Sequence, residues 1–364
     1  MPSAIGSDVA RLAVAGAHVI AAGTDRRVTL RGVNRSGLEY AEPRQVDGVG
    51  APDPDEGASR FLDAAGITRS EVSEIVTEWG ANVVRLPFTQ DFALRGRNGW
   101  PAEAYLRALD RVVSWAAEHG AYTLLDLQWL DADTPRGRGQ DGSINRVPAL
   151  PDARTLELWG TLAARYRDEP AVLFDLFNEP HDPLFDDIEP LVGVLPDGRL
   201  DRLPSRKVGM DEWQPWALRL VRLVRDLHPT ALILVSGVGW AYDLRGFPLR
   251  DRSGTPVPGL VYSTHVYPWS RTHPFTRARS SREWMRGFGH LARQAPVFAA
   301  EWGGEARHAA WGRRLLQFLE DRSIGWTAWS WADWPMLVAN CRQCDYTPTA
   351  FGAIVRDALR QRRT

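Results

Sequence analysis

Val172-Leu173-Phe174-Asp175-Leu176-Phe177-Asn178-Glu179-Pro180 decides the fold. Its first six residues form a short apolar run, broken only by Asp175, and two polar residues close it before a proline. Such a run is too short for a helix and suits a strand buried on both faces. Comparable runs recur at Leu30–Val33, Asn82–Leu86, Thr123–Leu127, Ile233–Ser236, Val261–Thr264, Val297–Ala300 and Trp326–Trp331. With Val172–Phe177 that makes eight predicted strands, the number that closes a barrel.

Longer stretches with helical spacing separate the runs. Pro101 opens one and Gly120 stops it, with Leu106, Leu109, Val113 and Ala116 on one face. Others are expected to begin near Ser70, Asp152, Met210, Ser281 and Ala306. Helix-to-strand joints are brief, as at Gly80-Ala81 and Gly120-Ala121, whereas Asn34–Arg69, Gln128–Pro151, Glu179–Gly209 and Ala332–Thr349 read as long strand-to-helix loops. In a (β/α)8 barrel those loops all emerge at the C-terminal face, so lengthening them walls a cleft above the barrel mouth. The rival doubly wound sheet wants a glycine-rich turn after its first strand, and Gly32-Val33-Asn34-Arg35-Ser36-Gly37 lacks the third glycine. The expected fold class is therefore α/β: a single (β/α)8 TIM barrel over residues 1–364, with residues 1–30 as an N-terminal β-hairpin extension. The apolar segment Leu12–Ile20 follows Arg11, but Gly16 and His18 interrupt it, so it reads as hairpin rather than signal sequence.

Composition narrows the function. Forty-four Lys+Arg against 45 Asp+Glu leave no cationic footprint for nucleic acid. No run approaches the ~18 apolar residues of a membrane span. Lys207 is the only lysine and falls in a predicted loop, which argues against Schiff-base chemistry. Cys341 and Cys344 form a lone C-x-x-C, too few thiols for a zinc site; a loop disulfide or a plain structural role is expected. Sixteen tryptophans offer rigid apolar faces that pack a core or carry a sugar ring.

Polar residues that end buried strands need a reason, because each costs free energy unless paired or useful. Arg85 closes the second predicted strand, Gln128 and Trp129 the third, Asn178 and Glu179 the fourth, His265 and Tyr267 the sixth, Glu301 the seventh and Trp331 the eighth. Residues two apart share a face, so Asp175 points with Glu179, Asp126 with Gln128, and His265 with Tyr267. Asp175 and Arg85 also fit a buried ion pair that only fixes the core. Glu179 and Glu301 fall on opposite sides of the mouth, which suits glycoside hydrolysis. A retaining enzyme holds its two carboxyl groups about 5–5.5 Å apart, one attacking the anomeric carbon while the other protonates the leaving oxygen. Their pKa values must be pushed apart, with the nucleophile ionised beside Arg85.

These segments resemble glycoside hydrolase family 5, the cellulase-like family of clan A. The resemblance rests on Asn178-Glu179-Pro180, with Arg31-Gly32-Val33-Asn34, Val84-Arg85-Leu86-Pro87, His265-Val266-Tyr267, Glu301-Trp302-Gly303 and Trp329-Ser330-Trp331 in the family's order. It implies Glu179 as acid/base and Glu301 as the nucleophile that forms a covalent glycosyl-enzyme. Asn178 would bond the sugar 2-hydroxyl, Arg85 and Tyr267 would hold Glu301, His265 would contact substrate or the acid/base, and Trp331 would floor the subsite of the attacked sugar. Gln128 stands where family members commonly carry histidine; glutamine still hydrogen-bonds hydroxyls but takes no charge. Trp129 and Trp269 are candidate sugar contacts, with Trp240 and Trp334 behind them. Gly303-Gly304 resembles a phosphate-cradling turn, but no basic partner is evident.

The resemblance implies no metal and no cofactor, an oligo- or polysaccharide substrate, and a monomer. Family members are usually secreted, although no leader is evident. The leading expectation is a retaining endo-β-1,4-glucanase. A β-mannanase, or an exo-acting β-glycosidase or glycolipid hydrolase, would use the same site, and a non-catalytic carbohydrate-binding barrel is the rival from another class.

Overall fold

The computed structural model describes residues 9–46, 52–131, 137–138, 144–145, 150–181, 192–194, 200–202, 208–268 and 280–361. Eight parallel strands close a barrel: β1 (Arg31–Asn34), β2 (Val83–Thr89), β3 (Tyr122–Trp129), β4 (Val172–Asp175), β5 (Ile233–Ser236), β6 (Leu260–Val266), β7 (Val297–Trp302) and β8 (Gly325–Ala328). The seam is β8 against β1, with Trp326, Thr327 and Ala328 beside Arg31, Gly32 and Val33. Gly32 is required at that level, because a Cβ there would fall 1.7 Å from the Val83 carbonyl oxygen.

Strand alternation sorts the barrel interior into two layers. Leu30, Val83, Leu124, Leu173, Leu234, Val261, Phe298 and Ala300 form an apolar lower layer. Two residues further along each of five strands the set turns polar: Arg85, Asp126, Asp175, Ser236 and Ser263, all fully buried. The N-terminal hairpin, Leu12–Ala15 against His18–Ala21, packs Leu12, Val14 and Val19 on the lower layer and covers that end of the barrel. Apolar burial on one side therefore offsets the desolvation of the polar layer above it.

β7 departs from the alternation, and this matters for the site. Its pairing shifts register between Thr264 and His265 on one side and between Ala299 and Trp302 on the other. An irregularity of this kind re-aims a side chain. Glu301 joins the interior, while Trp302 turns outward onto Trp326 and Phe351, with ring centroids 5.5 and 5.7 Å away.

Helices cover the outside. Ala102–Ala117 begins after Pro101 and buries Leu106, Leu109, Val113 and Ala116, as its spacing predicts. Ala153–Arg165 carries a capping box between Asp152 and Thr155. Buried indoles serve two masters here: Trp159 and Trp213 fill the helix–barrel interface and donate to the carbonyls of Leu176 and Ser236. Two expected loops need correction. Asn34–Arg69 contains the helix Pro54–Ala65, capped by Asp53 and ended by Gly66 in the left-handed region. Ala332–Thr349 contains an antiparallel pair, Val338–Asn340 with Asp345–Pro348. Cys341 and Cys344 lie at the turn between them as free thiols, so the disulfide alternative is not seen. No helix among the described residues is long and apolar enough to cross a membrane.

Candidate active site

Arg85 organises the mouth. Its guanidinium donates from Nε to Asp175 Oδ2 at 3.1 Å and from Nη2 to Asn178 Oδ1 at 2.8 Å. Nη1 donates to Asn34 Oδ1 at 2.8 Å and to Glu301 Oε1 at 3.0 Å. Four strands are thus tied through one planar fork, which a lysine could not imitate. Burial opposes the charge on Arg85, but Asp126, Asp175 and Glu301 more than reverse this and raise its pKa further.

Glu301 is held at both oxygens. Oε1 takes the Arg85 bond and Oε2 accepts from the Tyr267 hydroxyl at 2.7 Å. Burial and the neighbouring Glu301 charge hold the Tyr267 phenol well above its ordinary range, so it remains a donor.

Glu179 meets His265, whose Nδ1 lies 2.7 Å from Glu179 Oε1 and 3.6 Å from Glu301 Oε2. Burial pushes the imidazole down to about 4, against the pull of Glu301, so the ring is neutral at ordinary pH. Its Nε2 is enclosed and bonds to no protein group among the described residues. A bare ring nitrogen is cheaper to leave there than an N–H, which places the proton on Nδ1 and makes His265 the donor to Glu179.

One oxygen from each of Glu179 and Glu301, together with the His265 nitrogen, lie within 4.8 Å of one another. A cation held by these donors would compete for the carboxylate oxygens that carry the hydrogen bonds just described. The Glu179 side chain is 19% exposed and that of Glu301 6%, so the better-shielded carboxylate is also the one with the cationic neighbour.

Of the ten sequence-derived candidates, Arg85, Asn178, Glu179, His265, Tyr267 and Glu301 converge here. Gln128 is half-buried at the end of β3, its Oε1 enclosed without a protein partner among the described residues. Trp129 is half-buried beside Tyr40, with ring centroids 6.0 Å apart. Trp269 lies outside the described residues.

Trp331 is a correction: it is 0% exposed and packs on Trp79 and Tyr346, 4.7 and 5.6 Å between centroids, so it cannot floor a sugar site. β8 ends at Ala328, and strand alternation does not extend to the residues beyond it. Half-buried Trp329 directly follows β8, and its backbone N–H donates to the carbonyl of Trp302, the residue after Glu301. Trp240 stacks on His181 at 3.8 Å and 15°, beside the Glu179 backbone, and Trp334 is 60% exposed. Gly303 and Gly304 serve close packing: Cβ atoms there would fall 2.5 Å from the Trp329 carbonyl oxygen and 2.7 Å from Phe351. Sequence reasoning missed Tyr40, whose hydroxyl donates to Asp333 Oδ1 at 2.7 Å and joins the loops after β1 and β8. An aromatic inside a loop gives no periodic signal.

Comparison with known proteins agrees with this geometry. Endoglucanase MaCel5A of Microbulbifer sp. (strain ALW1) is 22% identical over 277 residues, 73% of this chain and 44% of the relative. Endoglucanase N of Pectobacterium atrosepticum is 23% identical over 315 residues, 85% of this chain and 54% of the relative. The chain thus spans about half the length of these curated relatives. Among solved structures, β-glucanase SdGluc5_26A of Saccharophagus degradans superposes with a TM-score of 0.70 at 20% identity, covering 100% of this chain and 98% of the other. The catalytic domain of Thermobifida fusca endoglucanase Cel5A gives 0.64 at 16%, covering 96% and 97%. The model for Cellulase (glycosyl hydrolase family 5) matches residues 54–334, a span that includes both carboxylates and seven of the eight barrel strands, and the chain belongs to that family.

Proposed function

We propose that the protein hydrolyses β-1,4-glucan chains internally and with retention of anomeric configuration, Glu301 acting as nucleophile and Glu179 as acid/base. The observation that carries this reading is the approach of the two carboxylates, oxygen to oxygen within 4.8 Å across the mouth. Double displacement needs a short separation; an inverting pair stands about 6.5–9.5 Å apart to admit a water.

The neighbours divide the labour. Arg85 and Tyr267 hold and aim Glu301 through one oxygen each, so its attack on the anomeric carbon forms the glycosyl-enzyme as the glycosidic bond breaks. Glu179 gives its proton to the departing oxygen, then takes one from the water that releases the sugar. His265, donating to Oε1, keeps that carboxyl in one orientation. Asn178 has its carbonyl oxygen engaged by Arg85, so its amide N–H groups are left to face a sugar hydroxyl. Endo action on glucan is supported by the endoglucanase names of both sequence relatives and by the cellotetraose complex of the Saccharophagus β-glucanase.

The test is the anomer first released from an aryl β-cellobioside, read by proton NMR, together with mass spectrometry of the enzyme after a 2-fluoro glycoside. A β-product and a label on Glu301 are expected. An α-product, or a label elsewhere, overturns the mechanism, and activity on mannan but not on β-glucan overturns the substrate.

A further inference from the structure

The upper layer of the barrel holds more acid than base. Asp126, Asp175 and Glu301 face one guanidinium, at 2.8, 3.1 and 3.0 Å, and Asp126, Asp175 and Arg85 are fully buried. The facing charged groups are Arg85 from β2, Asp175 from β4, Glu301 from β7 and Glu39 from the turn after β1, so Arg85 is the only cation among them. Arg35, the next buried cation, is occupied by Glu71 at 2.7 Å. One guanidinium matches one of these carboxylates, and ionising all three would leave two uncompensated charges in a sealed interior. Such a site keeps a proton instead.

Hydrogen bonding decides which aspartate keeps it. Asp175 accepts from Arg85 Nε and, more distantly, from the Ser236 hydroxyl at 3.4 Å, both of which favour its carboxylate form. Asp126 is different. Its Oδ1 lies 2.8 Å from Arg85 Nη2 without the alignment of a hydrogen bond, and neither oxygen bonds to any protein group among the described residues. That Nη2 donates to Asn178. We infer that Asp126 is a neutral carboxylic acid in the working protein, and that its proton reserves the charge of Arg85 for Asp175 and Glu301. Burial drives the Asp126 pKa well above the usual carboxylate range against the pull of Arg85, with Asp175 and Glu301 adding to it; burial raises Asp175 as well, but there Arg85, His265 and the Arg85 hydrogen bond pull it back. An ionised Asp126 would compete for the fork that holds Asp175 and Glu301.

Two readouts test the inference, and the first does not depend on the proposed activity. In infrared difference spectra at neutral pH, wild type minus Asp126→Asn should contain a carboxylic-acid carbonyl band, and wild type minus Asp175→Asn should contain a carboxylate pair. Absence of the acid band from the first spectrum overturns the inference. The second readout is the acid limb of kcat/KM on an aryl β-glycoside. Asp175→Asn removes an anion beside Glu301 and should move that limb down by about one pH unit; Asp126→Asn exchanges one neutral group for another and should leave it in place. A downward shift in Asp126→Asn as large as in Asp175→Asn shows that Asp126 is ionised, and the inference fails. Should Asp175→Asn not fold, the infrared spectrum and the limb of Asp126→Asn still decide. No turnover of any β-glycoside would count against the proposed function alone.

Discussion

The imidazole of His265 donates from Nδ1 to Glu179 Oε1 across 2.7 Å, and burial holds that ring neutral. A burial-neutralised histidine has a thermodynamic signature. Its folded pKa, about 4, lies below the reference value of 6.5, so between these values the unfolded chain binds the extra proton. The stabilisation is complete above pH 6.5 and is lost as pH falls toward 4. His265→Gln should flatten the pH dependence of the unfolding free energy in that window by roughly 3 kcal/mol. Urea melts at four or five pH values measure it, and parallel curves for the two proteins would refute the buried-neutral assignment.

Tyr267 and Glu301 give a prediction of opposite sign. The phenol stabilises the Glu301 carboxylate, so Tyr267→Phe should raise the acid limb of kcat/KM. Removing one well-aimed donor typically lowers turnover by about 10²–10³-fold. A pH–rate profile on an aryl β-glycoside reads both effects, and an unmoved acid limb would detach Tyr267 from the nucleophile.

Arg85→Lys tests the fork. A lysine keeps the charge but cannot serve Asn34, Asp175, Asn178 and Glu301 together, so buried acceptors lose partners. Turnover should drop at least about 10²-fold and the melting temperature should fall. A variant with wild-type kcat would show that charge alone suffices.

The two tryptophans after β8 should separate cleanly. Trp331→Ala empties a packed site and should cost about 3–5 kcal/mol of stability. Trp329→Ala should leave the melt nearly intact and raise KM for glucan oligosaccharides. Denaturation curves and initial rates on both variants distinguish them, and a reversed pattern would return Trp331 to the sugar site.

Much of this was legible from residue order. The β-strands were readable because an eight-stranded parallel barrel buries its strands on both faces, so each appears as a short run that is mostly apolar. The site was readable because its polar residues sit where apolar runs stop, as at Asn178-Glu179 and His265, or interrupt one, as Arg85 does inside β2. Three features escaped for physical reasons. Glu301 owes its inward aim to register shifts in β7, which no alternation rule contains. Trp331 follows the end of β8, where that rule no longer applies. The helix Pro54–Ala65 begins Asp53-Pro54-Asp55-Glu56-Gly57, which reads as loop, although the same residues are a cap, a first-turn proline and an acidic first turn. Its glycine meets a spatial demand, since a Cβ at Gly57 would lie 2.5 Å from Ala104 and 2.6 Å from Trp100.

The hairpin Leu12–Ala21 under the barrel has a consequence for traffic. With Leu12, Val14 and Val19 seated against the apolar layer, the strand cylinder is a cup rather than a tube. In the proposed double displacement, sugar, departing alcohol and incoming water would then all pass by the face opposite the hairpin, so the water would follow the path the leaving group has vacated.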